Sequence, residues 1–212
     1  MTTVSFDFDS LTPKERYKLL IGTVIPRPVA LVTTRSPSGQ ANAGAFSFFN
    51  VLTHDPAILA LGVEYKPDGT PKDTARNILD TGEFTVHIAD YALVDQMEIC
   101  SIKFAPEVDE LELAGLETAA GETVRSPRIL AAPAALECTL LQSIPVSPAR
   151  VIVLGQVKKM FLRESLLDPA TMYIDQEAFD AIGRLGGYLY ARQGDQFERV
   201  TPTPEAFFTT TG

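Results

Sequence analysis

The segment KDTARN, residues 72–77, combines a cation, an acid and a hydroxyl group at the start of a predicted helix. Backbone N–H groups in the first turn of a helix have no partner within the helix, and they favour a bound anion. Lys72 would add a positive charge there and Thr74 a hydroxyl group, with Asp73 as the helix cap. The pattern indicates a phosphate-binding site, and the alternative is an ordinary capped surface helix.

The stretch NAGAFSFFN, residues 42–50, is predicted to form one strand that pairs in a hairpin with residues 28–34. Its small residues at positions 43–45 would let the backbone approach a flat ring closely. Ser47 and Asn50 offer hydrogen-bonding groups, while the phenylalanines would alternate between the core and a bound ligand. The alternative is a plain core strand. The candidate binding residues of this stretch are Ala45, Phe46, Ser47, Phe48, Phe49 and Asn50.

Two further arginines are placed where they could meet a phosphate or a carbonyl group of a ligand. Arg27 lies between two prolines at a strand entrance, and the alternative is a solvated arginine. The segment RLGG offers a cation and a close backbone approach, although a bare sequence of this kind is also typical of a tight turn. Its residues are Arg184, Leu185, Gly186 and Gly187.

The chain is poor in residues for acid–base and nucleophilic catalysis. His54 and His87 are its only histidines, and a structural role is expected for each. Cys100 and Cys138 form no CxxC motif, which argues against a zinc site or a disulfide framework and favours a reducing compartment. No catalytic side chain and no metal site are therefore predicted. A flavin enzyme would need little more from its protein than binding, orientation and electronic tuning.

Composition and charge narrow the class of protein. A chain of 212 residues with 45% hydrophobic and 21% charged residues is expected to fold as one domain spanning residues 1–212. A formal net charge of −9 argues against a nucleic-acid or anionic-membrane partner, but not against one phosphate-bearing small molecule. The chain shows neither a signal peptide nor an apolar run of membrane-spanning length, so a cytoplasmic location is expected.

The distribution of apolar residues predicts six or seven strands and only a few short helices. Short helices cannot cover both faces of a parallel sheet, so we expect a mainly β fold with an antiparallel barrel. The longest predicted strands, residues 133–146 and 149–163, are joined by Ser147 and Pro148. The other predicted strands include residues 28–34, 42–50, 56–63 and 83–90.

Five segments in order, IPRPVALVTT, NAGAFSFFN, DPAILALGV, KDTARNI and RLGG, resemble the flavin reductase-like, FMN-binding family of flavoredoxin type. The resemblance covers about residues 20–192 and leaves 193–212 as a C-terminal tail. It implies a split β-barrel with Greek-key strands, a homodimer, and FMN, or alternatively FAD, bound at or near the subunit interface. It also implies that the candidate residues above bind the flavin and that NAD(P)H is a co-substrate.

One segment departs from a branch of this family. Flavin reductases that serve two-component monooxygenases usually carry Gly-Asp-His on a late strand, whereas this chain has Gly155 followed by Gln156 and Val157. The departure argues against efficient NAD(P)H oxidation, not against flavin binding. The leading hypothesis is an FMN-dependent oxidoreductase that passes electrons to free flavin, a protein or a small acceptor. The alternatives are an electron carrier or flavin-binding module without NAD(P)H oxidation, and a barrel that binds another ligand or none.

Overall fold

A seven-stranded antiparallel sheet forms the centre of the computed structural model, which describes residues 1–210 of the chain. The strands are β1 (Arg27–Pro28), β2 (Ala30–Arg35), β3 (Ala41–Phe46), β4 (Phe49–His54), β5 (Ala57–Glu64), β6 (Glu83–Ile88), β7 (Thr118–Ala119), β8 (Arg128–Ile129), β9 (Ala134–Ser147), β10 (Arg150–Leu162), β11 (Gly183–Arg184) and β12 (Tyr190–Ala191). The central sheet has the order β3-β2-β6-β9-β10-β5-β4. Strands β1, β11 and β12 form a small second sheet, and β7 pairs with β8. The prediction of a mainly β fold is confirmed.

The helices are short, and along the chain they lie before, between or after the strands. They are α1 (Pro13–Thr23), α2 (Asp73–Thr81), α3 (Val94–Ile99), α4 (Glu110–Leu113), α5 (Gln176–Phe179) and α6 (Pro204–Thr210). Among residues 1–210, no helix combines the length and the apolar character that crossing a bilayer requires. The predicted tail, residues 193–212, contains α6, and its residues 211–212 lie outside the described part of the chain.

The stretch predicted as one strand forms two strands at opposite edges of the central sheet. Strand β3 pairs with β2, as the predicted hairpin requires, whereas β4 pairs with β5. The chain bends between them at Ser47 and Phe48, and the N–H of Gly62 on β5 donates to the Phe48 carbonyl at 2.7 Å. The single-strand prediction is therefore wrong, because side-chain alternation does not specify which neighbour a strand pairs with.

The core beneath the sheet is built from apolar side chains of several strands and from one face of α2. Its buried members include Val32, Leu59, Leu61, Val63, Ala75, Ile78, Phe84, Val86, Val151 and Val153. Burying each of the larger side chains contributes about 1.5–3 kcal/mol. Because Ala75 and Ile78 are fully buried, α2 packs on β2 and β3 with its first turn in a defined position.

The start of α2 differs from the predicted cap. Lys72 is the N-cap residue, and no side chain accepts a hydrogen bond from the first turn. Asp73 is already inside the helix, and its carboxylate pairs with Lys66 at 3.1 Å and with Arg76. The prediction of Asp73 as the cap is wrong, because two neighbouring cations hold its carboxylate in ion pairs.

Candidate functional site

A cavity of about 780 Å³ lies where β3 meets the first turn of α2. Its volume is within the range of about 300–1,000 Å³ that small-molecule sites occupy. The rest of the lining comes from residues 64–69 at the end of β5 and beyond it, residues 100–104, Glu110 at the start of α4, and Ala149 between β9 and β10. Five of the candidate residues predicted from the sequence line this cavity, namely Ala45, Phe46, Lys72, Asp73 and Thr74.

The α2 end of the cavity is suited to an anion. No described residue bonds the backbone N–H groups of Asp73, Thr74 and Ala75. Lys72 makes no ion pair with a described residue, and burial lowers the pKa of its ammonium group. The Asp73 carboxylate is offset by Lys66 and by Arg76. Three cations thus surround one acid at a helix terminus whose dipole also favours negative charge.

Strand β3 approaches α2 very closely at Gly44. A Cβ atom on Gly44 would lie 3.1 Å from Thr74 Oγ1 and 3.2 Å from Phe46 Cε2. Both distances are tighter than ordinary van der Waals contacts, so a larger residue would push the strand, the ring or the helix away. Gly44 therefore brings the backbone of β3, the Phe46 ring and the Thr74 hydroxyl together at one wall.

Asn42 belongs to the same wall, and the sequence-based list of site residues missed it. Its side chain is buried, and its Oδ1 has no hydrogen-bond partner among the described residues. A buried amide oxygen without a donor costs free energy, and a ligand group can supply that donor. The alternation of β3 places Asn42, Gly44 and Phe46 on one face, so strand periodicity was the feature that could have identified it.

Two more cavity residues come from distant parts of the chain. The backbone N–H of Ala43 donates to Glu110 Oε2 at 3.1 Å, which holds the carboxyl group of Glu110 against β3. Burial raises the pKa of Glu110, and the negative charges of Asp109 and Asp73 raise it further against the effect of the Ala43 hydrogen bond. Burial also raises the pKa of the Cys100 thiol to about 12, so this thiol is no nucleophile near neutral pH. No local motif marks Glu110 or Cys100.

The second half of NAGAFSFFN lies away from the cavity. Ser47 is half-buried in the bend, and Phe48 is exposed, with its ring edge-on to Tyr17 at a centroid distance of 6.4 Å. Phe49 is buried in the core. Asn50 is exposed, and its Oδ1 accepts from the backbone N–H of the next residue at 2.8 Å. The sequence-based assignment grouped these four residues with Ala45 and Phe46, and the fold separates them.

Arg27 is buried and acts within this chain as a bridge between backbone segments. Its guanidinium donates to the carbonyls of Ile21 at 2.8 Å, Val24 at 2.7 Å and Leu185 at 3.0 Å. The end of α1 and the RLGG segment are thereby tied together, because both supply carbonyls to one side chain. The guanidinium does not line the cavity.

The RLGG segment forms a second cluster with Arg27. Arg184 stacks on the Tyr190 ring at 4.3 Å and donates to the Gly187 carbonyl at 2.7 Å. Gly186 packs against α1, since a Cβ atom there would lie 3.3 Å from the Cα atom of Gly22. Together with Leu185, which accepts from Arg27, these residues lie outside the cavity lining.

The two histidines have different surroundings. His54 is exposed on β4. His87 is fully buried: its Nδ1 donates to the Leu31 carbonyl and its Nε2 accepts from the Ile129 N–H, both at 2.9 Å. Burial lowers the pKa of His87 to about 4, so the ring is neutral near pH 7. Its two ring nitrogens are occupied by backbone groups, and the structural role expected for His87 is confirmed.

The residues around the cavity fit a ligand that carries a phosphate group, as FMN does. The uncapped start of α2 and Lys72 would hold the phosphate, with the Thr74 hydroxyl beside them. The close approach at Gly44 sets the Thr74 hydroxyl against β3, and Asn42 Oδ1 can accept from a hydroxyl or ring N–H.

Comparison with known proteins identifies the family of this chain. The model of the flavin reductase like domain matches residues 21–183. Among solved structures, nitrilotriacetate monooxygenase component B of Bacillus cereus is 34% identical, with a TM-score of 0.89 over 94% of this chain and 100% of that one. The 2-nitrobenzoate 2-nitroreductase of Pseudomonas fluorescens is 33% identical, with a TM-score of 0.87 over 95% and 98%.

A Shewanella frigidimarina protein with a split barrel domain has the same fold at 18% identity, with a TM-score of 0.81 over 95% of this chain and 100% of that one. The split β-barrel expected from the sequence is therefore confirmed. The family matched by residues 21–183 is the one that the five sequence segments resemble. The chain belongs to the family of proteins with a flavin reductase like domain.

Proposed function

We propose that this protein is an FMN-dependent oxidoreductase that binds the flavin in the cavity between β3 and α2. The observation that carries the proposal is the uncapped start of α2, where Lys72 has no ion pair with a described residue and faces a cavity of about 780 Å³. Bound FMN supplies the hydride and electron transfer, so the side chains need only hold and orient it. FAD is the alternative cofactor.

The donor in this proposal is NAD(P)H or a protein, and the acceptor is free flavin, a protein or a small molecule. Flavin-related oxidoreductase chemistry is supported by the family and by the neighbours above 30% identity. One of these neighbours is named as a component of a monooxygenase and the other as a nitroreductase. Those names support both kinds of acceptor, a partner enzyme and a small molecule.

A second candidate function is an electron carrier that keeps its flavin and does not oxidise NAD(P)H. The segment after Gly155 favours it, because β10 continues with Gln156 and Val157 in place of Asp and His. Gly155 itself is explained by packing, since a Cβ atom there would lie 2.2 Å from the Phe84 ring. The glycine thus gives no support to a nicotinamide site.

The test is the visible spectrum of the protein reconstituted with FMN and titrated without oxygen, first with NADH and then with NADPH. Rapid loss of the flavin band supports the nicotinamide-dependent reductase. A flavin band that persists with both nucleotides supports the carrier or an enzyme that a protein donor reduces. Failure of the protein to bind FMN or FAD at all would remove both functions.

We also propose that residues 1–212 form one domain, that the protein is a cytoplasmic homodimer, and that the second copy covers exposed apolar side chains. Tyr17 and Leu20 on α1, Phe48 in the bend, and Val51 and Leu52 on β4 are each at least 44% exposed. Such a concentration of apolar side chains is typical of an interaction surface. Sedimentation equilibrium tests the homodimer, because a monomer at micromolar concentration contradicts it.

A further inference from the structure

Glu110 is an acid in the wall of a cavity whose neighbouring end is suited to an anion. Its Oε2 accepts from the Ala43 N–H at 3.1 Å, so the carboxyl group lies against β3. The next residue of that strand, Gly44, faces Thr74 in the first turn of α2. One short run of backbone therefore connects the carboxyl group of Glu110 with the proposed phosphate site.

The charges near Glu110 are of both signs. From α2, the Asp73 carboxylate acts on it, and from its own helix α4, so does Asp109. Cys100 contacts the backbone of Glu110 with its Sγ 3.9 Å from the carbonyl oxygen, and this thiol is neutral near pH 7. The other charged residues that line the cavity are Glu64, Lys66, Asp68, Lys72 and Lys103.

We propose that Glu110 takes up a proton from solvent when the anionic flavin binds, and that its carboxylate lowers FMN affinity at neutral pH so that the flavin exchanges readily. This inference rests on the proposed function, because it needs FMN in the cavity. It assigns Glu110 the role of an affinity-determining residue of the cofactor site. It also favours a reductase with an exchangeable flavin over a carrier that retains it.

The direction of the effect follows from electrostatics. Burial and the nearby acids already raise the pKa of Glu110 in the free protein. A bound phosphate adds negative charge and excludes water, and both changes disfavour the carboxylate, so the pKa rises again. Between these two pKa values, binding consumes a proton, and FMN affinity increases as the pH falls. The phosphate of FMN has its own pKa of about 6, and its protonation acts in the opposite direction.

The variant Glu110→Gln isolates the contribution of the acid. Glutamine keeps an oxygen that can accept from the Ala43 N–H, but it carries no charge at any pH. Glu112→Gln is the matched control, since Glu112 is exposed on the same helix and does not line the cavity. It makes the same change in net charge.

FMN dissociation constants are measured by fluorescence between pH 5 and pH 8 for the wild type and both variants. At pH 8 we expect Glu110→Gln to bind FMN roughly tenfold more tightly than the wild type, the effect of removing one partly buried charge. The two curves should converge toward pH 5, because protonated glutamic acid and glutamine are then both neutral. Glu112→Gln should follow the wild type throughout.

Calorimetry in buffers of different ionisation enthalpy counts the protons taken up at pH 6. The wild type should take up more protons than Glu110→Gln does. The proton exchanged by the FMN phosphate is common to both proteins, so it cancels in this difference. Riboflavin, which has no phosphate, should cause a smaller uptake in the wild type than FMN does after correction for the proton that the FMN phosphate itself releases, which its own pKa of about 6 sets. This last comparison needs no variant and decides the matter if Glu110→Gln does not fold, which its melting curve without flavin reports.

Three results would overturn the inference while leaving the proposed function intact. They are equal FMN affinities of the wild type and Glu110→Gln at pH 8, equal proton uptake by the two proteins, or the same shift in Glu112→Gln. A wild-type protein that binds no FMN would instead overturn the proposed function and the inference together.

Discussion

The Cα atom of Gly155 on β10 lies directly against the ring of Phe84 on β6. A Cβ atom at position 155 would be 2.2 Å from Phe84 Cζ and 3.0 Å from its Cε1. Phe84 is 1% exposed and is surrounded by the core, so its ring has nowhere to move. Packing accounts for this glycine, which is the residue of the Gly-Asp-His segment that the chain retains.

Replacing Gly155 by alanine should lower the free energy of unfolding by about 3 kcal/mol, because the added methyl group overpacks the core. Urea denaturation of the purified protein measures the loss. Gly22→Ala is the control, since a Cβ atom there meets nothing within 4 Å and alanine favours the helix by about 1 kcal/mol. Equal stability of Gly155→Ala and the wild type would contradict the close packing on Phe84.

The double variant Lys72→Ala, Thr74→Val should weaken FMN binding by about 3 kcal/mol, which is roughly a hundredfold increase in Kd. The reason is that the phosphate loses a cation and a hydroxyl donor at the start of α2. Fluorescence titration provides the Kd, and Lys18→Ala, the same change on an exposed face of α1, is the control. An unchanged Kd in the double variant would place the phosphate elsewhere.

Arg27→Lys should cost about 2 kcal/mol of stability, because one ammonium group cannot bridge three carbonyls as the guanidinium does. FMN affinity should remain close to that of the wild type, since Arg27 does not line the cavity. Arg16→Lys, which alters a single exposed bond to the Phe8 carbonyl, should have a smaller effect on stability. A large loss of FMN affinity at full stability would assign Arg27 to the cofactor.

His87 should make the protein less stable as the pH falls. Its pKa is about 4 in the folded chain and 6.5 as a model value for the unfolded chain, so the unfolded chain binds the proton first. This loss of stability is absent above pH 6.5. It grows as the pH falls toward 4, up to about 3 kcal/mol. Urea denaturation between pH 7.5 and pH 5 shows its onset before most carboxylates titrate.

An NMR titration of the folded protein provides the direct check on His87. Its ring signals should stay those of the neutral imidazole down to about pH 5. A His87 midpoint near its ordinary pKa would contradict the buried, doubly bonded ring.

Local sequence was sufficient to predict the elements that show a regular spacing of apolar residues. The two long strands, the helix after Lys72 and the mainly β class follow from side-chain alternation, turn residues and helix patterns, which act within a few residues. The predicted anion site also depended on neighbours in sequence, and the structure brings Lys72 and Thr74 together at the cavity. In contrast, Asp73 was misjudged as a cap because its partner Lys66 is in a separate loop.

The division of NAGAFSFFN was decided by the tertiary structure. Its residues 42–46 and 49–50 have similar β propensity, but they pair with different neighbours at opposite edges of one sheet. Strand pairing depends on contacts between residues far apart in the chain, so no local pattern reveals the bend at Ser47 and Phe48. Phe46 consequently lines the cavity, whereas Phe49 lies in the core.

The amino-acid sequence by itself determined the class of fold, the family resemblance and the prediction of an anion site at the start of α2. Only the tertiary structure assembled the full wall, where Asn42 and Glu110 face the same cavity although they lie on β3 and α4. It also set Arg27 apart, on backbone carbonyls of α1 and RLGG. The physical reason is that hydrogen bonds, burial and charge act over a few ångströms in space, whatever the separation along the chain.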